Sequence, residues 1–170
     1  MSNTPQKKER KGIITLDPED YFPQPEQIAA LDLKAFLFHA LIVKEDWFRQ
    51  QVEQTDWTVY QGKVVCVYCS VDAVIPSWVY MVLASRLSGI AEQLYFARPG
   101  EGARRYWLHR LQNADFSAYA SARVVVKGCG RQPASEEVFL LLSARLTPLV
   151  RSLQFGEPCS TVPVYKSEAS

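Results

Sequence analysis

The residues of this chain best suited to chemistry are four cysteines, Cys66, Cys69, Cys129 and Cys159. The first two form a C-x-x-C pair inside "VVCVYC" (64–69), a spacing found in redox motifs and in halves of metal sites. Side chains alternate faces along an extended strand, so positions 66 and 69 point to opposite sides and do not make a dithiol. Cys66 lies mid-strand and reads as a small core hydrophobe. Cys69 falls where that strand ends. Cys129, in "KGCGRQ", ends a second apolar strand between Gly128 and Gly130, and glycine lets another group approach closely. Cys159, in "EPCSTVP", follows a third strand. In a parallel sheet these ends share one edge, the edge on which open α/β sheets bind ligands, so three cysteines are expected to face one rim.

Three thiolates suit zinc or an iron–sulfur cluster, because both prefer soft sulfur ligands. Asp72, in "CSVDAVIP", is the nearest candidate for a fourth ligand, with His39 a more distant one. None of the usual ferredoxin or zinc-finger spacings is present, so two other readings stand beside this one. One is a thiol-dependent enzyme or redox protein using Cys69 or Cys129. The other is a non-catalytic interaction module with structural zinc, or with inert thiols and no cofactor.

The remaining polar residues have plainer roles. His39, in "LFHAL", reads as a satisfied core residue, and His109 as a surface residue on a helix. Arg86 and Arg145 close long apolar runs and should pair with a carboxylate or with helix C-terminal carbonyls. Asp56, Asp115, Ser70, Ser160 and Thr161 suit turn capping. Trp47, Trp57, Trp78 and Trp107 read as core or interface residues. "KGCG" lacks the full phosphate-loop pattern, and no acid–base pair or nucleophilic triad stands out.

The elements that must position the thiols repeat along the chain. "TDWTVY" (55–60) resembles "ADFSAY" (114–119), "KVVCVYC" (63–69) resembles "RVVVKGC" (123–129), and "VYMVLASRL" (79–87) resembles "VFLLLSARL" (138–146). "LYFARPG" (94–100) resembles "LQFGEPC" (153–159). The middle match sets Cys69 on Cys129. Repeats at 44–100 and 103–159, each helix, strand, helix, strand, predict an internally duplicated α/β fold with a mainly parallel sheet flanked by helices. Within them, "KEDWFRQQV" and residues 77–91 read as helices, while "VVCVYC", "QLYFA" and "SLQFG" read as strands. Upstream, a short strand and a helix near "LKAFLFHALI" are expected.

At 170 residues, one α/β domain over 12–166 is expected, with a disordered tail at 1–11 and a second tail at 167–170. A formal net charge of +1 gives no electrostatic case for nucleic acid or an anionic membrane. No apolar run spans a bilayer, and "MSNTPQKKERKG" is not a secretory signal. The expected location is the cytoplasm, where thiols stay reduced.

The segments "GIITLDPEDYFP", "DWTVYQGKVV", "CSVDAVIPSWVYM", "VVVKGC" and "GEPCSTVPVYK" together resemble the bacterial family called domain of unknown function 2480, from about Gly12 to Lys166. The resemblance implies a shared fold and carries no activity. It brings an association with iron–sulfur assembly components, which favours the cluster reading. The expected function is therefore metal or cluster binding through Cys69, Cys129 and Cys159, accessory to cluster assembly. Iron–sulfur assembly proteins and a second copy of the chain are the expected partners.

Overall fold

The computed structural model describes residues 8–10, 12–157 and 160–167. Strands β1 (Lys8–Arg10) and β2 (Ile13–Leu16) come first, then β3 (Ile28–Asp32), helix α1 (Glu45–Gln54), β4 (Val64–Tyr68), α2 (Ser77–Leu87) and β5 (Gln93–Phe96). Helix α3 (Pro99–Asn113), β6 (Arg123–Val126), α4 (Glu136–Leu146), β7 (Ser152–Glu157) and β8 (Ser160–Lys166) complete the order, with short 3-10 turns between. The chain divides into two compact units, one of Pro23–Tyr106 and one of Met1–Phe22 with Trp107–Ser170. These do not coincide with the repeats at 44–100 and 103–159. Each sheet takes a first strand, β3 or β2, from upstream of those boundaries.

In the unit of Pro23–Tyr106, β3, β4 and β5 form a three-stranded sheet, parallel throughout. Central β4 buries Val64, Val65, Cys66 and Val67, the near-continuous apolar run of a strand covered on both faces. Helix α2 buries Val79, Leu83 and Leu87, spaced i, i+4, i+8 along one stripe. Phe48 and Val52 of α1 join the same core. Each such side chain contributes about 1.5–3 kcal/mol of transfer free energy.

The other unit carries a five-stranded sheet of order β1-β2-β6-β7-β8. Strands β2, β6 and β7 run parallel, while β1 and β8 pair antiparallel at the two edges. Helix α4 repeats the α2 stripe with Val138, Leu142 and Leu146. The α/β class with mostly parallel strands is as expected, but the strands form two sheets rather than one. Cys69 and Cys129 therefore follow strands of two different sheets, not neighbouring strands of one.

Three local differences have physical causes. No α-helix forms at "LKAFLFHALI". Asp32 caps a single 3-10 turn, Leu33–Phe36, and Phe38 N–H then bonds Ile42 O at 2.9 Å, closing a tight turn with His39 and Ala40 at φ 50 and 55°. Helix propagation stops at such positive φ values. His39 is consequently exposed, not a core residue. Strand β3 escapes a periodicity reading because Ala29 and Ala30 are only weakly apolar. Strand β8, whose proline argues against a strand, is tolerated as a sheet edge.

Candidate functional site

Parallel strands β2 and β6 end side by side, and the residues after them build a cleft in the unit of Met1–Phe22 with Trp107–Ser170. Asp17 follows β2, and its Oδ1 accepts from Glu19 N–H at 3.0 Å, capping a 3-10 turn. Its Oδ2 accepts from Lys127 Nζ at 2.7 Å, while Lys127 N–H bonds Leu16 O and extends the ladder. The hydrogen bond and the negative charge of Asp17 push the Lys127 ammonium up. Glu19 Oε2 accepts from Arg131 N–H at 3.0 Å and fixes the far side of the glycine loop. Buried Trp107 donates its indole N–H to Pro18 O at 2.8 Å and forms the floor. The cleft measures ≈ 240 Å³, with Asp17, Lys127, Cys129 and Gln132 on its walls.

Cys129 stands exposed in this loop, and its Sγ donates to Glu157 Oε1 at 2.9 Å. Glu157 ends β7, the strand beside β6, so the ladder itself brings the carboxylate to the thiol. The hydrogen bond to Glu157 pushes the thiol up, and the carboxylate charge adds to it, with Lys127 opposing. Gly128 lies close under Phe155: a β-carbon at that position would overlap the ring and make it shift. A thiol at the mouth of a polar cleft thus donates its proton in a hydrogen bond to a carboxylate. A divalent cation replacing that proton would meet two anionic donors of a kind zinc accepts.

The corresponding strand ends in the unit of Pro23–Tyr106 are Asp32 and Tyr68, paired at the close of β3 and β4. Asp32 Oδ1 accepts from Lys34 N–H and Ser70 N–H, each at 3.0 Å. Burial works upward on this carboxyl, but the Ser70 side chain and the two backbone donors outweigh it and hold Asp32 low. Counting from the ladders, Tyr68 stands where Lys127 does, which sets Cys69 on Gly128 and Ser70 on Cys129. The sequence match of Cys69 with Cys129 is therefore one residue out of register.

The predicted site residues fall as follows. Cys69 is half-buried against the apolar core of its unit. Cys66 is fully buried in β4, as a core hydrophobe should be, and burial pushes its thiol up. Asp72 is exposed in the loop before α2, and His109 is exposed on α3. Cys69 and Cys129 belong to different units, and Cys159 lies outside the described residues. Among the described residues, no group of three or more His, Cys, Asp or Glu side chains is arranged to hold a metal ion. Sequence reasoning missed Asp17, Lys127 and Glu157. The first carried a signal, since "TLDPED" and "ALDLKAF" both place aspartate after a short apolar run.

A family model matches residues 3–167, from the charged amino-terminal segment through β8. The chain belongs to that family, described as "Protein of unknown function (DUF2480)". No curated protein matches this DUF2480 chain, and no solved structure does. Among its described residues, no helix is long and apolar enough to cross a membrane.

Proposed function

We propose that the protein binds a transition metal or an iron–sulfur cluster through thiolates and serves cluster assembly or transfer. The observation that carries this reading is the Cys129–Glu157 contact, an exposed thiol held 2.9 Å from a carboxylate at strand ends. Cys159, two residues after Glu157 in the sequence, is a second thiolate of the proposed ligand set. Cys69 is the third thiolate of the proposal, and Asp72 its oxygen donor or outer hydrogen-bond acceptor. The chemistry of Cys129 favours a ligand over a nucleophile. A carboxylate that keeps the thiol protonated slows attack on an electrophile, while a cation at the same place removes the proton and gains both donors.

Titration of the reduced protein with cobalt(II) tests the reading. The wild-type protein should develop thiolate-to-metal absorption with a stoichiometric end point. Cys129→Ser should lose it with an unchanged circular dichroism spectrum, and Glu157→Gln should weaken binding about 10-fold or more. A titration in which Cys129→Ser behaves as wild type defeats the proposal.

A further inference from the structure

We infer that Lys127 gates the cation site at Cys129 and Glu157: its ammonium holds a place among the acidic groups of the cleft, and an entering divalent cation must displace it. This gating rests on the metal-binding reading above. Asp17, Lys127 and Cys129 line one cleft of ≈ 240 Å³. Lys127 Nζ lies 2.7 Å from Asp17 Oδ2, and Glu157 Oε1 lies 2.9 Å from Cys129 Sγ. Besides Asp17, the charges of Glu157 and of an ionised Cys129 act on this ammonium. The Lys127 side chain is 30% exposed and that of Asp17 24%, so water and salt screen the pair incompletely.

The fold does not itself call for this lysine. Lys127 N–H bonds Leu16 O and extends the ladder, a contact that any residue but proline supplies. Asp17 caps its turn through Oδ1, which accepts from Glu19 N–H, so the cap leaves Oδ2 to the ammonium. The other unit provides an internal comparison. There Asp32 stands where Asp17 does and Tyr68 where Lys127 does, and Asp32 takes the N–H groups of Lys34 and Ser70 on Oδ1. A strand-end aspartate thus keeps its turn without an ammonium from the neighbouring strand.

Charge decides what the ammonium does. A divalent cation seated on the Cys129 thiolate and the Glu157 carboxylate meets the Lys127 charge at close range, and like charges repel more strongly where less water lies between them. The flexible four-carbon stem of lysine lets the ammonium swing out to solvent. Asp17 Oδ2 then loses its partner and becomes a carboxylate oxygen donor of the kind zinc accepts, on the wall of the same cleft. Parting Lys127 from Asp17 opposes the binding of every cation that enters.

Cobalt(II) titration of the full reduced chain tests this. Lys127→Met should bind the metal about 10-fold more tightly than wild type or better, the scale of one charge removed near a divalent ion. Lys127→Gln, a second neutral variant, should gain likewise, whereas Lys127→Arg keeps the charge and should show no gain. Adding Asp17→Asn to Lys127→Met should remove most of the gain, while the asparagine oxygen still serves the Glu19 N–H. A Lys127–Asp17 pair that only braced the loop would give the opposite sign, weaker binding on its loss. Binding left unchanged or weakened in both neutral variants overturns the gating and leaves the metal reading standing. No cobalt uptake by the wild type or by either neutral variant overturns both.

Discussion

Cys129 Sγ lies 2.9 Å from Glu157 Oε1, and the thiol donates to the carboxylate across the ends of adjacent strands β6 and β7. That hydrogen bond, reinforced by the Glu157 charge, raises the thiol above its ordinary value. The thiolate fraction at neutral pH falls accordingly. Alkylation of Cys129 should therefore become half-maximal at a pH above that of a free cysteine, about 8.5. Glu157→Gln removes the charge and should shift this profile to lower pH, with faster labelling near neutrality. A profile unmoved by Glu157→Gln would show that the carboxylate does not govern the thiol.

Gly102 on α3 exists where Cys66 of β4 needs room. A β-carbon there would overlap Cys66 Sγ, and Cys66 is fully buried, so neither group can yield cheaply. Gly102→Ala should cost about 1–3 kcal/mol despite its gain in helix propensity. Cys66→Ala in the same chain should recover much of that loss. Chemical denaturation of the two single variants and the double variant checks the coupling, and strict additivity would contradict it.

Arg145 on α4 closes the end of α3. Its Nη1 donates to the carbonyl oxygens of Leu111, Gln112 and Ala114 at 2.6 to 2.9 Å, and its guanidinium stacks over Phe116 with 4.9 Å to the ring centroid. These carbonyls are the acceptors that a helix C-terminus leaves unpaired. Arg145→Ala should destabilise the protein by roughly 2 kcal/mol, in the range for hydrogen bonds to a charged group. Arg145→Lys should recover only part, because an ammonium lacks the planar fork. Equal stability of Arg145→Lys and wild type would deny the stacking contribution.

Asp32 should impose an acid-side stability limit. Burial pushes its carboxyl upward, but the Ser70 side chain and the N–H groups of Lys34 and Ser70 prevail, so its folded value lies below the unfolded one. Its contribution is present above the unfolded value, about 3.9, and is lost as pH falls through the folded one. Asp32→Ala should cost about 1 kcal/mol near pH 7, the scale of a lost cap, and less as the solution is acidified. Thermal melts across that range check it; a cost independent of pH would contradict it.

Much of the fold was legible in the chain because its signals are strong. The run "VVCVYC" is rich in β-branched residues and became buried β4, and the apolar stretch beginning at Ser77 became α2. Arg145 took helix carbonyls, and Asp56 and Asp115 capped turns, accepting from Thr58 and Ser117 N–H at 2.9 and 2.8 Å. Division of the strands between two sheets was not legible, since it depends on which strand β2 and β3 join. Those first strands lie far from their partners in sequence: Leu16 pairs with Val126. The one-residue error between Cys69 and Cys129 has the same origin. Sequence likeness follows side-chain type, whereas ladder register follows backbone pairing. Glu157 escaped notice because its role arises only when β7 is laid beside β6.

Elemental analysis of protein purified under reducing, oxygen-free conditions, with its optical spectrum, tests the central claim most directly. Zinc or iron should be found at a fixed stoichiometry per chain, with visible absorption if the iron is in a cluster, and Cys129→Ser should abolish it. Protein that carries no metal and takes up none on reconstitution would contradict the account.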